Sequence, residues 1–426
     1  MDSEGGKAGS RCLGTTRVAV MNPAAPVQEA RITAIMFVLI FAIGCDTFLV
    51  APFIPTLAHS FGVTEAAGGH FVLAYALSYA VSAIVLGPLS DRIGRRRMLQ
   101  GGITAFTIFT TLCGLSWNYE SMLLFRALSG VAAAAVSPQV WASIGDLFPY
   151  EKRGKVLGIV TSALSISQIL GVPLAALTAS LWGWRASIII VAAVSLMGGI
   201  AFIFGFPRLQ HALTKGDAQE SITAVIVSRL MRAVRNRSAL VGLGVMLGMS
   251  MGSLGMYTYI GVYLSDYFNM TLSDIGVSIV VVGLGNLTGN LAGGFTSDQW
   301  GKRKTALIFL LLMAASLFAL PYASASLGLA LMFIFVWQLS GGASLVAFNA
   351  VLSELDPSVR GTVMSLNNSA MYLGTTLGVA INGWLYLQFD FMGIGLFCGT
   401  AILIAAISMF LLGKRPADQK THIAYK

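Results

Sequence analysis

Charged side chains are almost absent from twelve stretches of this chain, each close to the roughly 20 residues that a helix needs to cross a bilayer. They run over 32–58, 70–89, 98–116, 121–145, 155–180, 184–206, 238–265, 274–296, 304–323, 326–350, 361–388 and 391–413. A water-covered fold has too little interior for so much apolar surface. Only 11% of the 426 residues are charged, where soluble domains carry about 25%, and mean hydropathy is +0.78. The longest polar interruption, 207–237, follows the sixth stretch. The chain therefore reads as an all-α membrane protein of twelve transmembrane helices in two six-helix bundles, 32–206 and 238–413. A cytoplasmic linker, 207–237, joins them. Residues 1–31, polar and rich in Gly, Ala and Pro without a signal-peptide pattern, are expected to be a disordered cytoplasmic tail, and 414–426 a second tail.

With the N-terminus inside, the inner segments hold 25 of the 27 Lys and Arg residues. The exceptions are Arg126, inside span 4, and Arg185, in a short outer turn. The outer loops hold Glu65, Glu120, Asp266, Asp274 and Asp390. This is the positive-inside pattern, so both termini are expected to be cytoplasmic and the location a cell (inner) membrane. The net charge of +9 is then a topology signal and points to no nucleic acid. In the linker, Arg229, Arg232 and Arg235 share a helical face that Val225, Ile226, Leu230 and Val234 largely avoid. That suits a basic amphipathic helix on anionic membrane lipids, or a merely solvated charged linker.

No cofactor or metal is expected. Cys12, Cys45, Cys113 and Cys398 have no ligand spacing, and three of them sit in apolar runs. His59, His70, His211 and His422 are dispersed, which argues against an enzyme, and no G-x-x-x-x-G-K-[ST] loop is present to use ATP.

The chain repeats itself at an offset of 207. Gly87, Ser90, Asp91, Gly94, Arg95, Arg96 and Arg97 match Gly294, Ser297, Asp298, Gly301, Lys302, Arg303 and Lys304. The same offset carries Arg153-Gly154 onto Arg360-Gly361 and Gly171-Val172 onto Gly378-Val379. The two bundles are thus pseudo-symmetric, products of a parallel duplication of the kind found in transporters. Within the loop between spans 2 and 3, Gly94 permits a tight turn. Gly87 is expected to let a neighbouring helix approach, and Asp91 suits the N–H groups at another helix's start.

These residues carry a resemblance. G-x-x-x-D-R-x-G-R-R, from Gly87 through Asp91, Arg92, Gly94 and Arg95 to Arg96, resembles the signature loop of the major facilitator superfamily. "RALSGVAAAAVSP", from Arg126, resembles the span-4 motif of its proton-coupled members. "GVPLAALTASLWGWRASI", from Gly171, resembles span 5 of the drug–proton antiporter branch, most closely arabinose-efflux-permease-like proteins. The resemblance implies a monomer that moves a small molecule by alternating access, driven by protons, with export favoured over import. It implies an inner gate in which Asp91 meets the start of span 11 near Gly361 and Arg95 meets Asp146. In the second copy Gln299 replaces the first basic residue, so that latch is expected to be weaker. The span-5 motif is also degenerate: Gly171-Val172-Pro173 stands for a direct Gly-Pro.

Two intramembrane charges escape the repeat. Asp46 maps to Ser253 and Arg126 to Phe333. Each costs about 3 kcal/mol at mid-membrane, so such residues are functional candidates. Both fall in the middle-to-outer part of their spans at 1.5 Å per residue. The resemblance implies that spans 1, 4, 7 and 10 line the cavity. Shielding favours a neutral carboxyl there and a nearby arginine its charged form. Asp46 is the expected proton carrier and Arg126 its modulator, with a static ion pair as the alternative. Substrate-cavity candidates are Gln139, Tyr257, Tyr259, Trp337 and Gln338. Asn286, Asn290, Asn367 and Asn368 can also face inward, or hydrogen-bond between helices.

Overall fold

The computed structural model describes residues 26–207, 235–352 and 357–411, with isolated positions between 223 and 231; the linker arginines Arg229 and Arg232 lie outside these. The described chain is almost wholly helical. Spans 1 to 4 are Pro26–Phe61, Glu65–Ile93, Arg95–Gly114 and Tyr119–Leu147. Span 5 joins Tyr150–Ile166 to Val172–Trp182 through one π-helical turn, Ser167–Gly171, and span 6 is Trp184–Gly205. Span 7 breaks at Tyr259 into Arg237–Thr258 and Ile260–Phe268. Spans 8 and 10 are Leu272–Trp300 and Leu327–Leu352, and span 9 is Lys302–Ala319 with a 3₁₀ extension to Ala325. Spans 11 and 12 share the segment Pro357–Leu411, which turns at Asp390.

Ten described helices are long and apolar enough to cross a membrane by length and composition. One of these contains the Asp390 turn and so supplies two spans. Arg95–Gly114 is the remaining one, its average lowered by three arginines at its start. The twelve-helix fold follows.

The duplication is written in the backbone. Positive φ occurs at Gly62, Gly94 and Gly183, and at Asn269, Gly301 and Asp390. These are three pairs at the offset of 207. Gly94 (φ 92°, ψ 135°) and Gly301 (φ 88°, ψ 142°) make nearly the same turn in the two charged loops.

The halves meet along spans 2 and 11, 5 and 8, and 1 and 7. Tyr79 stacks on Tyr372 with centroids 3.7 Å apart, and Ser165 donates to Asn286 Oδ1 at 2.9 Å. At the end of the bundle that carries Glu65 and Asp266 the halves close on each other. Tyr257 Oη donates to the Phe48 carbonyl at 2.9 Å, and Tyr386 Oη bonds the carboxylates of both Glu65 and Asp266. A Cβ at Gly261 would lie 2.7 Å from Pro52 Cα.

Candidate functional site

The sequence puts small residues where helices must touch, and these touches build the site. Gly130 lies one turn beyond Arg126; a Cβ there would come within 2.4 Å of the Tyr75 carbonyl in span 2. Span 4 therefore packs tightly on span 2 and drives Arg126 between them. Gly171, ending the π-turn of span 5, is equally tight: its Cβ would lie 2.3 Å from Cys45 Sγ, beside Asp46.

Asp46 and Arg126 meet. Arg126 Nη1 donates to Asp46 Oδ2 at 2.8 Å, and both side chains are nearly inaccessible, at 1% and 2% exposure respectively. Arg126 Nε donates to the Phe71 carbonyl at 3.3 Å. The guanidinium carbon sits 4.5 Å from the Tyr75 ring centroid, a cation–π contact. Tyr75 Oη in turn bonds Thr47 Oγ1 at 3.1 Å. Nη2 of Arg126 has no partner.

Arg126 borders a cavity of about 330 Å³ between the halves. Tyr75 and Tyr79 of span 2, and Trp141 of span 4, belong to its wall. Span 5 contributes Gln168, span 8 Asn286 and Asn290, span 10 Gln338 and Asn349, and span 11 Asn367 and Asn368. Asn286 Oδ1 accepts from Asn290 Nδ2 at 3.0 Å, and Asn367 Nδ2 donates to Asn349 Oδ1 at 3.4 Å. Asn367 Oδ1 is buried without a partner. A wider groove of about 760 Å³ between spans 2 and 4 is shallow and nearly all apolar. It has no convergent polar groups from the two halves, so the site is placed in the inner cavity.

Of the five predicted cavity residues, Tyr257 and Gln338 line it. Gln139, Tyr259 and Trp337 do not, which corrects the reading from sequence. Arg126, Ser137 and Trp141 mark the cavity face of span 4, and Gln139, two residues from Ser137, points about 200° away at 100° per residue. Trp337 is fully buried and donates to Ser253 Oγ at 3.3 Å. Tyr259 sits at the break in span 7, its hydroxyl 3.4 Å from the Val379 carbonyl. Gln168 and Asn349 were missed. Asn349 lies eleven residues after Gln338, three helical turns along one face, and that spacing is the signal. Gln168 sits in the π-turn ahead of Pro173, whose missing N–H is the only warning of it.

In the charged loop, Arg95 Nη1 bonds Asp146 and also donates to the Ala142 carbonyl at 2.9 Å, tying span 3 to the end of span 4. Arg92 leaves Nη2 buried without a partner. Asp298 is exposed. No described atom comes within 4 Å of a Cβ built at Gly87 or Gly294, so close helix approach is not the use of either glycine among the described residues. The side chain of Asp91, and those of 353–365 where span 11 begins, lie outside the described residues, and with them the expected Asp91 contact. Cys45, Cys113 and Cys398 are free and buried. No metal-ligating cluster occurs among the described residues.

Comparison with known proteins agrees with this architecture. The family description "Major Facilitator Superfamily" matches residues 36–354 and 258–426. The uncharacterised MFS-type transporter YceJ of Bacillus subtilis (strain 168) is 35% identical over 84% of this chain and 90% of its own length. The inner membrane transport protein YdhP of Escherichia coli (strain K12) is 24% identical over 80% of this chain and 85% of its own. Among solved structures, a D-xylose–proton symporter superposes with a TM-score of 0.73 at 18% identity, over 91% of this chain and 98% of that one. A duplicated six-helix unit, the charged loop repeated at 207 residues and a family match reaching from span 1 to the C-terminus all agree: this multi-pass membrane protein belongs to the major facilitator superfamily.

Proposed function

We propose that this transporter couples movement of a small molecule to protons, with Asp46 carrying the proton and Arg126 controlling it. One observation carries the reading: the one fully buried ion pair among the described residues, whose two positions are uncharged in the repeated half, has its Arg126 on the wall of the cavity shared by both halves. Protonation of Asp46 leaves the guanidinium unpaired, and a buried unpaired charge strongly disfavours the arrangement that holds it. Reorientation of the halves is the available relief. With both termini cytoplasmic, the closed end described above faces outward, and Trp141, Thr161, Asn349 and Asn368 belong to the inner part of the cavity wall. The Arg95–Asp146 contact then stiffens the inner end of the N-terminal half. Asp91 and Asp298, with their neighbours Arg92 and Lys302, serve as the gate loops.

The resemblance of span 5 to drug–proton antiporters supports export, and that of span 4 to proton-coupled members supports the coupling. Uptake is the second reading, and one observation favours it. Asp46 does not border the cavity, so a cationic solute has no access by which to displace its proton. Inside-out vesicles test both. Proton-driven accumulation that Asp46→Asn abolishes is expected for export. Loss of solute from preloaded inside-out vesicles under the same gradient marks uptake. Wild-type transport in either direction that ignores the gradient would overturn the proton coupling.

A further inference from the structure

The walls of the cavity restrict what it can hold. Among the described residues Arg126 is the only charged side chain that borders it, and no carboxylate does. Two side chains on its wall each leave a polar atom buried without a partner: Arg126 its Nη2, a donor, and Asn367 its Oδ1, an acceptor. One belongs to each half. Both side chains are at least nine-tenths buried, and leaving such atoms unmade is costly. The carboxamides of Gln168, Gln338 and Asn368 also border the cavity. They are paired donor–acceptor groups matched to hydroxyls.

We propose that the cavity binds an oxygen-rich solute without positive charge, a hydroxylated carboxylic acid or its neutral polyol counterpart. Arg126 Nη2 donates to an oxygen of the solute, and Asn367 Oδ1 accepts from one of its hydroxyls. The inference rests on the cavity being the transport site, as in the preceding section. A cation has no counter-charge here. Most of the aromatic rings on the wall are already engaged: the face of Tyr75 is covered by Arg126, Tyr79 and Tyr372 cover each other, and Phe48 meets Tyr257 edge to face, so Trp141 alone makes no box. Met249, Leu254 and Met371 fit the carbon skeleton.

The acid and the polyol differ in one respect. An acid brings a negative charge beside a pair that is already neutral, so its binding favours protonation of Asp46, and proton and acid bind together by reciprocal linkage. The other titratable groups around Arg126 are the phenols of Tyr75, Tyr79, Tyr257 and Tyr372 and the thiols of Cys45 and Cys113. Phenols and thiols are ordinarily neutral near pH 6.

Calorimetry on the purified full-length chain tests this, using a panel of four- to seven-carbon hydroxylated acids and polyols, gluconate and glucitol among them, with tetraphenylphosphonium as the cation. At least one panel member is expected to bind and the cation not. Arg126→Lys, which keeps the charge opposite Asp46, should weaken binding about tenfold, and Asn367→Ala about fivefold. Tighter gluconate binding at pH 5.5 than at pH 8 assigns the acid; pH-independent glucitol binding assigns the polyol. Binding of the cation, no binding by any panel member, or binding unaffected by both variants overturns the proposal. The assay holds no gradient, so binding and its loss in the two variants stand or fall separately from proton coupling by Asp46.

Discussion

Asp390 turns the chain between spans 11 and 12 with φ 52° and ψ −157°, a region that side chains other than glycine's rarely occupy, at a cost of about 1–3 kcal/mol. Gly183 makes the matching turn in the first half without that penalty. Asp390→Gly is therefore expected to stabilise the protein by about 1 kcal/mol after the entropic cost of glycine, read as a higher unfolding midpoint in detergent. Asn269→Gly should change little, because Asn269 (φ 51°, ψ 37°) lies in the left-handed region that asparagine tolerates. Equal gains from both would show that backbone strain at Asp390 is not the cause. The Asp46–Arg126 pair makes a second expectation at this scale. Arg126→Ala strands a buried acid and should cost about 3–5 kcal/mol, whereas Asp46→Asn/Arg126→Leu should recover most of it. A double variant whose loss equals the sum of those of Asp46→Asn and Arg126→Leu made singly in the same assay would mean that the residues are energetically independent.

At the scale of the element, the π-turn and the glycine that ends it fix span 5 against span 1. Gly171→Ala puts a methyl group 2.3 Å from Cys45 Sγ. Overpacking of this kind costs about 1–3 kcal/mol, and it should displace Asp46 and depress transport. Cys45→Ala in the same chain should restore transport in vesicles, while failure to restore would place the damage elsewhere. The spans themselves were legible because an uncharged run of membrane length has one use. Which way each span faces was not. A helix apolar on every side carries no stripe to set its rotation, so Gln139 and Trp337 read as cavity residues although the fold turns them into packing. Asp46 and Arg126 were legible because an ionised group inside a membrane is too costly to be incidental. The π-turn was hidden, since it follows from the Pro173 gap and from the fit of two helices that sequence does not bring together.

For the whole molecule, closure at one end includes a contact of backbone on backbone, Gly261 against Pro52. Gly261→Leu would drive a side chain into Pro52, so this end should no longer shut. The variant is expected to reach the membrane and lose transport. A cysteine at Ala51, a cavity position, introduced after removal of the native cysteines, should become reactive to an impermeant thiol reagent from the Glu65 side. Unchanged protection would show that this end closes by other contacts. Topology is tested separately: reporters fused after Ala66 and after Gln388 should both read as external, and a cytoplasmic reading from either would refute the orientation.

The offset of 207 also separates what the halves share from what they do not. Asn286, Asn290, Gln338, Asn349, Asn367 and Asn368 map back onto Tyr79, Ala83, Val131, Ala142, Val160 and Thr161, just as Asp46 and Arg126 map forward onto Ser253 and Phe333. The common part is a chassis of matched turns. On the reading proposed above, the first copy handles the charge and the second supplies most of the carboxamides that meet the cargo. Such specialisation makes the molecule modular in inheritance: a hybrid that keeps this N-terminal half and takes its C-terminal half from a relative should inherit the relative's taste in solute and this chain's dependence on pH, provided the seams at spans 2 and 11 and at 5 and 8 still fit.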